Sequence, residues 1–413
     1  MRVSRLLRLA PALVLAACTA KSQPAAEQDV AERARAIQDS VITIDTHDDI
    51  PGNFASVEVD PLDAPRQVNI TKMKDGGLDV AFFAVFVGQT PRTPENYGKA
   101  KAAAMEKFDA IHRMTEKMYP GMIEIAYTPA DVRRIHESGK LVAAIGIENG
   151  YVIGKDLGLI RKYYDLGARY MTLAHTRNND ICDSSTDPAG PEHHGLSAFG
   201  KKVVAEMNRV GMMVDVSHVS KECMMQATAL SKAPVIASHS STSALANVPR
   251  NMDDEQLQAV KKNGGVVQIV AFDSYVKAPA PEKLAAIDSL RKKLGLTERG
   301  AFRNMPADKR TIYDSEMATI EKQWPGATLQ EFVNHIDHAV KLIGIDHVGI
   351  SSDFDGGGGV TGWNDASETR NVTAELVKRG YTTEQIGKLW GGNLLRVWSE
   401  CDSLAAAARN TRA

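Results

Sequence analysis

The chain of 413 residues is 43% hydrophobic, which suffices for a large core, and α/β barrels commonly occupy this size as one domain. Its formal charge of −2 falls to −5 once Arg2, Arg5 and Arg8 leave with the amino-terminal segment, so a polyanion has no electrostatic hold on it. Nucleic acid is excluded as an expected partner.

The amino terminus is basic, continues through an apolar stretch of about ten residues, too short to span a bilayer, and ends on small residues before a cysteine. Residues 1–17 therefore read as a removable export signal. The ending Leu15-Ala16-Ala17-Cys18 resembles a bacterial lipobox, which implies lipid on Cys18 and a flexible tether over residues 18–32. A plain secretory signal with an incidental cysteine is the alternative. With Thr19 instead of Asp after the cysteine, the resemblance implies the periplasmic face of the envelope, with a lipid anchor in the outer membrane as the sole membrane contact. With Cys18 set aside, Cys182, Cys223 and Cys401 remain, an odd number without C-x-x-C spacing, so neither a disulfide framework nor a thiolate metal site is expected.

Eight apolar, β-branched runs follow, at 41–45, 79–87, 141–147, 169–174, 212–216, 234–238, 265–271 and 347–351. Amphipathic stretches lie between them, at 96–118, 156–166, 197–210, 220–231, 253–263 and 328–343. Near-continuous apolar strands alternating with helices predict a parallel sheet covered on its outer face, and eight repeats predict a (β/α)8 TIM barrel over residues 33–402. A doubly wound open sheet is less favoured, because no Gly-rich phosphate loop follows the first run. Residues 276–327, with Lys277-Ala-Pro-Ala-Pro281 and two helical stretches, form an insertion expected to shape or cover a site, and 403–413 is expected to be an unordered tail.

Chemistry-bearing side chains stand just beyond these runs: His47 and Asp49, Glu148, His175, His218, His239 and Asp353. Active sites of such barrels form at the carboxyl ends of the strands, so these seven are expected in one mouth. Glu148, preceded by His-x-Asp and followed by two separate histidines, is the natural carboxylate bridge between two cations. One cation would take His47, Asp49 and Glu148, the other Glu148, His218 and His239, each with open coordination for water. These N/O ligands suit Zn2+ best, with Mn2+ or Co2+ as substitutes. Asp353, at a strand end entering a Gly-rich turn, is placed to handle the proton of the attacking water; the turn-capping role better suits Asp355, beside Gly356. His175 is placed to donate to a developing oxyanion, with a core position or a further metal contact as alternatives. His112, His136, His335, His338 and His347 sit in polar contexts that favour solvated faces, and His193 with His194 occupies a Pro/Gly-flanked loop.

Longer motifs carry a family resemblance: Ile44-Asp-Thr-His-Asp-Asp-Ile-Pro51, Gly146-Ile-Glu-Asn-Gly150, Tyr170-Met-Thr-Leu-Ala-His175, Val214-Asp-Val-Ser-His218, Ser238-His-Ser-Ser241 and Gly349-Ile-Ser-Ser-Asp-Phe-Asp-Gly356. In this order, over residues 33 to 400, they resemble the renal or membrane dipeptidase family, peptidase family M19, of the amidohydrolase superfamily. The resemblance implies a metallo-dipeptidase with two zinc ions, in which metal-bridging hydroxide attacks the amide of L-Xaa-L-Xaa and L-Xaa-D-Xaa dipeptides. It places metal ligands on His47, Asp49, Glu148, His218 and His239, the transition-state histidine on His175 and the proton-handling carboxylate on Asp353. It also places a carboxylate-binding arginine on Arg250, whose guanidinium fork suits a peptide terminus, with Tyr275 assisting there. Small dipeptides are the implied partners, and a homodimer is admitted.

The chain departs from the family at Arg177, where mammalian relatives carry a disulfide cysteine, so that bridge is absent. Two rival readings are a lactonase or deacylase of the same superfamily and a non-catalytic lipoprotein that captures metal or peptide. The first would not need an arginine for a free carboxylate, and the second would favour closed coordination without Asp353 and His175 beside it.

Overall fold

Each of the eight apolar runs becomes a strand. In the computed structural model, which describes residues 25–297 and 305–410, these are β1 (Ile44–Asp49), β2 (Val80–Phe86), β4 (Leu141–Glu148), β5 (Ala168–Thr172), β6 (Met213–Asp215), β7 (Ile236–Ser240), β8 (Val266–Val270) and β9 (Val348–Ser351). A further strand, β3 (Ile123–Ile125), pairs with β4 off the main path; three residues are too few to show a period in the sequence. All pairings are parallel, in the order β1-β2-β4-β5-β6-β7-β8-β9. The Asp49 amide donates to the Phe354 carbonyl at 2.9 Å, joining β1 to the chain leaving β9. The architecture is the expected (β/α)8 barrel.

The strands are apolar because both faces are covered: all eight residues of β4 are buried. Helix Leu329–Ile343 shows the outer layer's logic, since Leu329, Phe332, Val333, Ile336, Ala339 and Ile343 repeat at helical spacing, all buried, and Thr328 with Glu331 forms a capping box. His335 lies on that same buried face, against the expectation of a solvated ring. Its Nε2 bonds the Val276 carbonyl at 2.8 Å and its Nδ1 pairs with the Thr242 hydroxyl at 2.9 Å, which satisfies a histidine inside the core.

The chain ends also differ from expectation. Helix Asn393–Asn410 packs Leu394, Val397, Trp398 and Cys401 against barrel residues Ile44, Phe82, Ala144, Tyr170 and Val266, so the barrel floor is built by the carboxyl terminus. It extends through most of the expected unordered tail, because Ala405 is buried beside Gly211. Helix Ala25–Gln38 likewise begins inside the expected tether, and Ala34 is buried. The export signal, Cys18 and the first part of the tether lie outside the described residues.

Cys182 and Cys223 form a disulfide, which the odd cysteine count concealed; Cys401 is the unpaired, buried one. The bridge ties the long loop after β5 to helix Lys221–Leu230. The insertion contains helices Pro281–Lys293 and Ala307–Gln323, whose Leu290, Tyr313 and Ile320 share a small core apart from the barrel's.

Candidate active site

The strand ends deliver their side chains through local irregularity. The β1–β2 register breaks between Asp45 and Asp48, around His47, and the β7–β8 register breaks between Ala237 and Ser240, around His239. Such breaks bend a strand and re-aim a side chain. Backbone amides near them are received by carboxylates inside the barrel wall. Asp45 accepts from the Ser352 amide at 2.9 Å, and one Asp215 oxygen accepts from the amides of Ser217 and Ser238 at 3.0 and 2.9 Å. His218 and Asp353 hold φ of +67° and +60°, a left-handed conformation that side-chain-bearing residues rarely adopt and that clusters at functional sites.

The seven expected side chains do meet in one mouth, centred on Glu148. His47 Nε2 faces one Glu148 oxygen, Oε2, at 3.5 Å, while His218, His175 and His239 face the other, Oε1, through Nε2 at 3.0, 3.3 and 3.5 Å. His47 Nε2 is also 3.9 Å from Asp49 Oδ2. Three overlapping donor groups arise: His47, Glu148 and His239; Glu148, His175 and His218; His47, Asp49 and Asp353, the atoms of each lying within 4.8 Å of one another. His193 is directed elsewhere, its Nε2 bonding the Asn179 carbonyl at 2.8 Å.

Charge in this cluster is poorly balanced. Burial works to raise Glu148, but the facing His175 and His47, with His218 and His239, overcome it and hold the carboxyl well below the usual range. Burial pushes His218 and His239 well down, with Arg250 contributing to both. Burial and then the Glu148 charge raise Asp49 to about 6, and burial raises Asp353 well above its ordinary value. Burial opposes protonation of His47, yet the charges of Glu148, Asp353 and Asp49 together outweigh it and raise the ring to about 10. Meanwhile His47 Nε2 is buried without a hydrogen-bond partner among the described residues, and the Nε2 atoms of His218 and His239 lie only 2.7 Å apart. Divalent cations fit this arrangement: nitrogen lone pairs and carboxylates converge, and positive charge at the centre relieves the crowding of both.

Arg250 reaches the site from the segment after β7. It is buried, donates to the His239 carbonyl at 3.0 Å and lies over the Tyr275 ring, 5.2 Å from its centroid, so the two residues expected at a substrate carboxylate adjoin each other. His175 packs against Phe86, with ring centroids 4.7 Å apart. Asp355 is structural, as expected, though by bracing another loop: it accepts from the Gln67 and Val68 amides at 3.0 and 3.1 Å and pairs with Arg66 at 3.2 Å.

Sequence reasoning missed the supports behind the imidazoles, namely Tyr170, Asp215 and Ser238. The available signal was an acid inside an otherwise apolar run, since a buried carboxylate needs donors around it. It also missed the loop brace: Ser184 Oγ bonds the His175 carbonyl, and the Ser185 amide bonds the His218 carbonyl at 2.8 Å, close to the disulfide.

Residues 31–412 match the model of the membrane dipeptidase family, peptidase family M19. The chain belongs to that family. Dipeptidase tcpJ of Claviceps purpurea is 34% identical, over 84% of this chain and 72% of its own length. Dipeptidase verJ of Clonostachys rogersoniana is 32% identical, over 94% and 92%. The crystal structure of the probable dipeptidase PvdM from Pseudomonas aeruginosa superposes with a TM-score of 0.81 at 35% identity, covering 92% of this chain and all of that one. A metallo peptidase from Rhodobacter sphaeroides, at 22% identity and a TM-score of 0.69, shares the fold. Family membership makes this chain a metallo-dipeptidase, an enzyme, and displaces the lactonase and capture-protein readings.

Proposed function

We propose that this chain is a dinuclear zinc dipeptidase acting on dipeptides with a free carboxyl terminus, L-Xaa-L-Xaa and L-Xaa-D-Xaa. One observation carries the reading: the two oxygens of the Glu148 carboxylate face different histidines, His47 on one side and His218, His175 and His239 on the other. That division is what a bridging ligand requires. Asp49 would complete the first set, and Mn2+ or Co2+ would fit the same donors.

When bound, two cations would polarise the scissile carbonyl and lower the pKa of water to about 7. The residues of the chain do the rest. Arg250 holds the substrate carboxylate with its guanidinium fork, and Tyr275 packs against that guanidinium. His175 donates to the oxygen of the scissile carbonyl as negative charge develops there. Asp353 accepts the proton of the attacking water and passes it to the departing nitrogen, so that the amide C–N bond breaks as the new C–O bond is completed. Lipid anchoring at Cys18 in the outer membrane is proposed from the amino-terminal sequence, and acyl labelling lost in Cys18→Ala but not in an unrelated substitution tests it.

Elemental analysis of the purified protein, with amine release from L,L dipeptides, L,D dipeptides and N-acyl amino acids, tests the reading. Two zinc equivalents and cleavage of the dipeptides are expected. Absence of bound metal, or no peptide cleavage with metal restored, overturns it, and turnover confined to N-acyl amino acids would favour a deacylase.

A further inference from the structure

An imidazole ligates a metal through a nitrogen that carries no proton, and a neutral ring has one such nitrogen; the hydrogen bond at the other nitrogen selects which. Behind His47 stands Tyr170. Its hydroxyl lies 2.8 Å from His47 Nδ1 and donates its own proton to the Thr46 carbonyl at 2.9 Å. With that proton committed, the oxygen can only accept, so His47 Nδ1 carries a hydrogen and Nε2, facing Glu148, is the nitrogen left to offer its lone pair to a cation.

Behind His239 the same logic is built from different parts. Its Nδ1 lies 2.8 Å from Ser238 Oγ, and that hydroxyl donates to Asp215 Oδ2 at 2.7 Å. Asp215 also accepts from the amides of Ser217 and Ser238 and from the Thr172 hydroxyl, so its oxygens are surrounded by donors. Ser238 Oγ is thus left to accept from His239 Nδ1, and His239 Nε2 is free toward Glu148. His218 has no such support: its Nδ1 is buried without a hydrogen-bond partner among the described residues.

The Tyr170 contact is a designed reach across the barrel. The side chain starts on β5, whereas His47 belongs to β1, two strands beyond β4 in the sheet order. It passes over Gly146 of β4, where a Cβ would fall 2.0 Å from the Tyr170 Cζ, and it stacks on Phe82 of β2 at 5.5 Å. A side chain at position 146 would close that path.

We infer that Tyr170 and the Ser238–Asp215 pair are positioning residues that set the tautomers of His47 and His239, one hydroxyl for each proposed cation. The inference rests on the dinuclear reading for its effect on metal, but the hydrogens at Nδ1 exist in the metal-free protein and can be read there. Long-range 15N–1H NMR of histidine-labelled, metal-free protein is expected to show His47 and His239 protonated at Nδ1. Zinc titration against a chelator is expected to show one of the two equivalents weakened about 10- to 100-fold in Tyr170→Phe and one in Ser238→Ala, with Ser238→Thr restoring wild-type binding. Circular dichroism should be unchanged in all three. Either ring found without a hydrogen at Nδ1, or wild-type zinc affinity in both hydroxyl-deleting variants, overturns the inference. A wild-type protein that binds no zinc would defeat the dinuclear reading instead, and the NMR result would still decide the tautomers.

Discussion

Gly356 lies directly against Asp353: a Cβ at position 356 would fall 2.3 Å from Asp353 Oδ1, and 2.4 Å from Asp49 Oδ2. Both carboxylates belong to the donor group that includes His47. Glycine is therefore required here by close approach, not by backbone conformation. Gly356→Ala must displace one carboxylate or both, and a shift near 1 Å in such a site costs about 100-fold in turnover. We expect kcat to fall by about that factor, with weaker zinc binding and near-normal thermal stability. A variant with wild-type kcat would mean that neither carboxylate needs its observed place.

Asp353→Asn separates proton handling from geometry. Asparagine tolerates the left-handed backbone that position 353 requires, so the turn should survive. Bound zinc should stay the same while kcat drops by about 10²- to 10⁴-fold, the range for loss of a positioned acid–base group. Steady-state kinetics with metal analysis on the same sample checks this. A near-normal rate would remove Asp353 from the proposed chemistry.

Arg250→Met removes the guanidinium but keeps much of the stem that fills the space over Tyr275. For dipeptides with a free carboxyl terminus, kcat/KM should fall by about 10²- to 10³-fold, as expected for deleting a buried charged partner. The variant should also lose the ability to distinguish a dipeptide from its carboxyl-terminal amide. Arg250→Lys should recover little, because an ammonium lacks the fork. Undiminished preference for the free acid in Arg250→Met would place carboxylate recognition elsewhere.

Cys182 and Cys223 are 41 residues apart, so their bridge restrains a sizeable loop in the unfolded chain. Replacing both with Ala should lower unfolding free energy by about 2–4 kcal/mol, measured in urea without reductant. Wild-type protein reduced with a phosphine should shift to a similar midpoint. If the double variant unfolds at the wild-type midpoint, the bridge contributes nothing to stability.

Much of the site was legible because strand-end placement is a local property. An apolar run followed at once by His47, Glu148 or His239 can be read within a few residues, and the parallel barrel then carries each to the same mouth. His335 shows the limit. Its helix is amphipathic, but whether a histidine on the edge of the apolar stripe is wet depends on Thr242 and Val276, which are 93 and 59 residues away.

The disulfide was missed for a similar reason: counting cysteines cannot say which two meet, and here the odd one, Cys401, is sealed beneath the barrel. The sequence alone determined the fold class, the family and the identities of the seven mouth residues, since these rest on period, order and residue type. The tertiary structure decided which Glu148 oxygen each histidine faces, that Gly356 leaves room for two carboxylates, and which hydroxyl backs His47 and His239. These are contacts between distant segments. A few tenths of an ångström decides them, and no spacing along the chain encodes such distances.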